Sequence, residues 1–179
     1  TLHLSSAASD VYKRQRQTLG NYERSHMIRG ISRAVQRFNL VGTANHITAA
    51  NSPAPYRDEL FEQANGQSIF ISAPAYNVVR REMLTPDGLS FRSNRPEGAN
   101  GQEFIASRDA WFRPTTLKTG PDGALWIADF YRLVLEHPEW IPNDVERKLE
   151  LRVGSDRGRL YRVYPANKTP RPIPSLADK

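Results

Sequence analysis

TGPDGALWIADFY, Thr119 to Tyr131, is the stretch on which the fold turns. Pro121 and Asp122 set a turn, and Gly123 is free to take positive φ, so the chain reverses between two apolar-alternating runs. ALWIADF has the length and the Trp, Ile and Phe content of a buried strand, and GRLYRVY, Gly158 to Tyr164, reads as its partner. Between them lie residues 131–157, far more than a hairpin needs. Long insertions between paired strands are often functional loops, so chemistry is sought there.

The same grammar appears upstream. GQSIFISAPAYNVVRREMLTPDGLSFRS predicts strands at Ser68 to Ser72, Asn77 to Leu84 and Leu89 to Arg92, with a Pro-containing loop and TPDG (Thr85 to Gly88) between them. Gly66 leads into SIFIS, APAY and NVVRR, as Gly123 leads into ALWIADF, the insertion and GRLYRV. Each second strand carries an arginine, Arg80 or Arg162. Two such copies, 57 residues apart from Gly66 to Gly123, suit blades of a β-propeller, which run ~40–50 residues plus insertions. A β-sandwich would give similar strands. The expected fold is mainly β: a partial β-propeller of two to three blades of antiparallel strands, with short helices in the loops.

Composition agrees. A chain of 179 residues, 39% hydrophobic and 25% charged, can bury one sizeable core. Thirteen Pro and eleven Gly favour strands and turns over a helical bundle. No apolar run approaches the roughly 20 residues of a transmembrane helix. The absence of cysteine excludes disulfides, Cys-based zinc sites and a CxxCH haem attachment within the chain. A net charge of +6 raises nucleic acid as a partner, but the arginines are interleaved with acids, which reads as a solvated basic surface.

Residues 5–15, SSAASDVYKRQ, match the in-frame translation of a sequencing-library transposase adapter, so 1–15 are set aside as a foreign scar and the chain reads as a fragment. No secretory leader is visible at its start. Residues 16–39 form a helical or irregular lead-in, with Ile28, Ile31, Val35 and Phe38 at helix-like spacing and Gly30 weakening the pattern. Residues 40–165 hold the β domain. Within them NDVERKLELR predicts a short surface helix with Asn143 and Glu146 as a capping box. Residues 166–179 read as an extended, Pro-rich linker.

The words SPAPYRDEL, IFISAPAYNVVRREMLTPDG, EFIASRDAWFRPTTLKTGPDGALWIADFYRLVLEHPEWIP and GSDRGRLYRV span roughly Arg37 to Tyr164. In that order and spacing they resemble the PVC-type membrane-bound dehydrogenase domain, a relative of the glucose/sorbosone dehydrogenase propellers. The resemblance implies an oxidoreductase acting on CH–OH groups of a sugar or polyol, placed in the periplasm or secreted and membrane-associated in the parent. It also implies downstream helical repeats and a c-type cytochrome domain or other electron acceptor. Related sugar dehydrogenases use pyrroloquinoline quinone with Ca²⁺ and a His that takes the substrate proton. No complete ligand set for that pair maps onto this chain, and the non-catalytic alternative is a propeller module binding carbohydrate or a protein partner.

Loops leaving equivalent ends of propeller blades converge on one mouth, which selects the candidate residues. His137 has a suitable unperturbed pKa near 6.5 for a general base, or else bonds within its loop. Asp129 is a candidate Ca²⁺ ligand or a turn anchor. Arg132 is a candidate to neutralise a quinone or to pair with Glu136. Tyr76, Asn77 and Tyr131 lie in the equivalent loops as substrate or cofactor contacts. Arg113 points into the mouth or stacks on Trp111 or Phe112. His46 stands without a partner at ligand spacing.

Overall fold

Two antiparallel sheets account for nearly all the regular structure in the computed structural model, which describes residues 28–32, 49–62, 67–99, 101–135, 139, 141–173, 175 and 177. In the first sheet β1 (Asn51–Pro55), β2 (Gln67–Ala73), β3 (Val78–Asp87) and β4 (Ser90–Asn94) lie side by side in chain order. β5 (Ile105–Ala106) pairs with the start of β3. The second sheet runs β6 (Pro114–Thr119), β7 (Leu125–Asp129), β8 (Arg159–Val163), again in chain order. The described chain is therefore mainly β, and the strands of the sequence echo take matching places. β2 pairs with β3 as β7 pairs with β8, and β1 and β6 precede them in the same way.

The sheets meet through Phe70 and Val79 on one side and Leu117, Leu125 and Ile127 on the other, with Tyr56, Leu60, Phe61 and Ala124 closing one end. Tyr56, Phe61, Phe70 and Phe104 contact edge to face or tilted, at centroid distances from 4.8 Å (Phe70–Phe104) to 5.8 Å (Tyr56–Phe70), near the geometry aromatic quadrupoles prefer. Ser52 Oγ accepts the Leu117 N–H at 2.8 Å, joining β1 to β6 directly. The first sheet is buried on its far face too, where Ile28, Ala73 and Val78 cluster. There the buried Arg80 pairs with Glu82, which also accepts the Ser93 hydroxyl at 2.8 Å. Arg162, its counterpart in the echo, pairs with Asp122 at 2.5 Å.

Several details depart from the sequence reading. TPDG does not separate β3 from β4: Thr85 to Asp87 belong to β3, and the reversal is the two-residue connection Gly88–Leu89, with Asp87 opposite Ser90. β2 pairs with β3 only as far as Leu84, so Pro86 has no neighbour on that side and its missing N–H costs the ladder nothing. The helix in NDVERKLELR is a single turn, α1 (Asn143–Glu146), whose N-cap is Pro142 with no side-chain cap. Asn143 is thus inside the helix, and the capping box does not form. In the lead-in, residues 28–32 are not helical, and the remainder lies outside the described residues.

The strand directions sort the connections to two ends. The β2–β3, β5–β6 and β7–β8 connections begin and end at one, the loop end; the β1–β2 and β6–β7 connections begin and end at the other, the turn end, where the segment after β8 also starts. Because the sheet contact rests on Leu117, Leu125 and Ile127, Ile127→Ala is expected to cost about 2–5 kcal/mol in urea unfolding. Leu160→Ala, at a residue 74% exposed on the same sheet, should stay within about 0.5 kcal/mol.

Candidate loop-end site

Asp129 ends β7 with its side chain fully enclosed, and its oxygens are divided among three donors. Oδ1 accepts the N–H of Arg113 at 2.7 Å and of Tyr131 at 2.9 Å. Oδ2 accepts Arg159 Nε at 2.6 Å. This is the turn-anchoring arrangement, with two backbone donors and one cation compensating a buried charge. A calcium ion at Asp129 does not fit these residues, because the oxygens are engaged and enclosed. Among the described residues no three His, Cys, Asp or Glu side chains gather as a metal site.

The other candidates also hold backbone in place. Arg113 is 5% exposed, and its guanidinium donates to Pro74 O at 2.8 Å, Arg132 O at 2.8 Å and Leu133 O at 2.7 Å. It does not project into open space as a mouth-lining cation; it ties the β2–β3 loop to the start of the insertion. Asn77 donates to Ala110 O at 3.1 Å and Phe112 O at 2.6 Å, and accepts the Ser32 hydroxyl at 2.5 Å. Arg132 donates to Phe130 O, Tyr131 O, Arg157 O and Gly154 O, drawing the two ends of the insertion together. Tyr76 packs beside Ile28, Ala73 and Val78. His137 and Glu136, the alternative partner for Arg132, lie outside the described residues, as does His46.

Two of these residues have left-handed backbone, Asn77 at φ 58° and Tyr131 at φ 51°. Asparagine tolerates this conformation; a tyrosine there is uncommon and costs on the order of 1–3 kcal/mol. Tyr131 is held by the Asp129 carboxylate on its N–H, by Arg132 on its carbonyl and by its ring. Trp111 lies 5.3 Å from that ring and the Arg159 guanidinium 4.1 Å above it. Gly154, at φ 87°, comes so close that a Cβ would sit 2.7 Å from Tyr131 O, so only glycine fits there.

Beside Tyr131, three partly exposed groups at this end, Asp109, Arg159 and Tyr161, were not singled out from the sequence. Arg159 also donates to Asp109 Oδ2 at 2.9 Å, and the two side chains are 34% and 37% exposed. The Tyr131 and Tyr161 rings flank the guanidinium at 4.1 Å and 5.5 Å. Asp109 is fixed from behind, its Oδ1 accepting the Trp111 N–H at 2.9 Å and its own N–H donating to Ser107 Oγ at 3.0 Å. Burial draws the Arg159 guanidinium down, but its bonds to Asp129 and Asp109 outweigh burial and hold it above the ordinary arginine range. Burial also pushes the Tyr161 phenol up, so it stays a neutral donor at physiological pH. The arrangement thus presents a fixed cation, an anion and aromatic faces side by side.

Arg113→Ala removes three bonds and leaves three carbonyls to find other partners. It is expected to destabilise the protein by about 2–4 kcal/mol in urea unfolding. Amide exchange should accelerate first in residues 74–77 and 130–135.

No curated protein and no solved structure matches the chain. Residues 2–167 match the family described as Domain of unknown function (DUF7133). With that match covering most of its length, the chain belongs to the DUF7133 family.

Proposed function

We propose that the chain is part of the propeller domain of a sugar or polyol dehydrogenase, as its motif words imply, and that it supplies ligand-binding walls to that domain's mouth. The observation that carries a polyhydroxyl ligand is the half-exposed Asp109–Arg159 pair between the rings of Tyr131 and Tyr161. A carboxylate and a guanidinium held side by side offer an acceptor and paired donors to neighbouring hydroxyls, while a tyrosine face packs on the C–H side of the ring. The left-handed Tyr131 supports a functional reading of this end, because strained backbone concentrates at ligand sites. Two adjoining antiparallel meanders in chain order are what neighbouring blades would give.

In this reading Asp129, Arg113 and Arg132 serve the fold, since they are committed to backbone contacts, His137 stays the candidate proton acceptor, and the hydride acceptor comes from elsewhere in the parent. The isolated chain is then inactive, and a periplasmic or secreted location goes with the parent. The second reading, a non-catalytic propeller module binding carbohydrate or a protein partner, is favoured by that same commitment of the described candidates.

Titration of the chain with glucose, sorbitol and related polyols, followed by calorimetry and tyrosine fluorescence, should give binding of about millimolar strength. Tyr161→Ala and Asp109→Asn should each weaken it by about tenfold, ~1.4 kcal/mol. No response to any polyol would overturn the sugar reading. Turnover of an aldose by the isolated chain, with pyrroloquinoline quinone, Ca²⁺ and an artificial acceptor added, would overturn its inactivity.

A further inference from the structure

From Tyr164 to Arg171 the chain after β8 stays on the domain. It turns at Pro165, where Lys168 N–H donates to the Pro165 carbonyl at 3.1 Å, and runs back across the turn end. Lys168 Nζ reaches Glu59 O at 3.1 Å. Arg171 N–H donates to Asp122 O at 3.0 Å, and its guanidinium forks onto both oxygens of Asp58 at 2.6 and 2.7 Å and reaches Pro121 O at 3.2 Å. The tail expected as a linker thus grips two parts of the core at once, the loop after β1 and the turn between β6 and β7.

Beside these contacts Tyr56 is fully buried, with Leu60 and Phe61 nearly so, and the Tyr56 hydroxyl joins the same two parts by donating to Gly123 O at 2.8 Å and accepting the Leu60 N–H at 3.0 Å. The tail itself is largely exposed between 164 and 173 and enters neither apolar cluster. Its grip on the core is polar, and the Arg171–Asp58 fork within it is an exposed charge pair that salt screens, while the neighbouring Tyr56 hydrogen bonds and aromatic cluster are buried.

We infer that Pro165–Arg171 is a releasable strap, a separate opening unit that controls access to the Tyr56–Phe61 corner of the core without taking part in the sheets. Elements with few buried apolar contacts open at lower free energy than the strands they cover. The fork between Arg171 and Asp58 is the hinge point, since Arg171 is the residue that grips both parts.

Its pH behaviour follows. Bonding to Arg171 holds the Asp58 carboxyl at about 2, with Glu59, Tyr56 and Lys168 as the other titratable groups at this corner. A carboxyl lowered in the folded state contributes fully above its unfolded value, about 3.9, and loses that contribution as pH falls toward about 2. The strap is therefore closed at neutral pH and loosens as pH falls toward about 2.

Hydrogen–deuterium exchange of the whole chain tests this. Arg171→Ala, and separately about 1 M NaCl on the wild type, should speed exchange in residues 56–62 and 120–124 by about fivefold, leaving β2, β3 and β7 unchanged. Salt should add nothing to Arg171→Ala, and the swap Asp58→Arg with Arg171→Asp should restore slow exchange. Unchanged exchange at 56–62 in Arg171→Ala would overturn the strap, and so would acceleration spread evenly over both sheets.

Discussion

Two buried carboxylates, Asp122 just before β7 and Asp129 at its end, are the constraint on which the rest depends. Neither charge is tolerable in the core alone, and each is matched by an arginine from β8. Arg162 meets Asp122 and Arg159 meets Asp129, opposite Trp126 and Asp129 respectively in the β7–β8 register. Adjacent strand positions alternate in face, so the two pairs fasten β8 to β7 from both sides of the sheet. Burial acts to raise the Asp122 carboxyl, but bonds from Trp126 Nε1, Arg162 and the Ala124 N–H outweigh it and keep the group below the ordinary carboxylate range.

Each carboxylate also organises one end of the molecule. At the loop end Asp129 fixes the backbone of Arg113 and Tyr131, and Arg113 then draws in Pro74, Arg132 and Leu133. The insertion between β7 and β8 is thereby anchored at its root and by Arg132 at its return, with Asp109, Arg159 and Tyr161 among the groups that face solvent beside it. At the turn end the Asp122 side chain holds its own turn, and its carbonyl receives the strap through Arg171. The stretch that decides the topology thus fixes both the candidate site and the strap.

How much of this was legible in the sequence depended on whether the signal was local. The strands at ALWIADF, GRLYRV, SIFIS and NVVRR, and the pairing of the first two, followed from apolar length and residue type bounded by turn residues, all short-range properties. The faces were not legible: in SIFIS the serines 68 and 72 are buried alongside Phe70, while Ile69 and Ile71 are half-buried on the other side. Ser72 is satisfied by Asn51 and Ser68 by Arg81, partners 21 and 13 residues away that alternation does not reveal. The same holds for Asp109, which meets Arg159 across 50 residues. Asp122 was read only as a turn residue, although an arginine at the echo position 162 was the available hint of a partner. For Asp129 the turn-anchoring alternative describes the observed contacts.

Asp129 serves the fold by compensating Arg159 and the loop backbone. A double-mutant cycle of Asp129→Ala and Arg159→Ala, followed by urea unfolding, measures that directly. The expected coupling free energy is about 1.5–3 kcal/mol, with the Asp129 variant alone losing about 3–5 kcal/mol. A coupling near zero, together with an Asp129 variant as stable as the wild type, would contradict it.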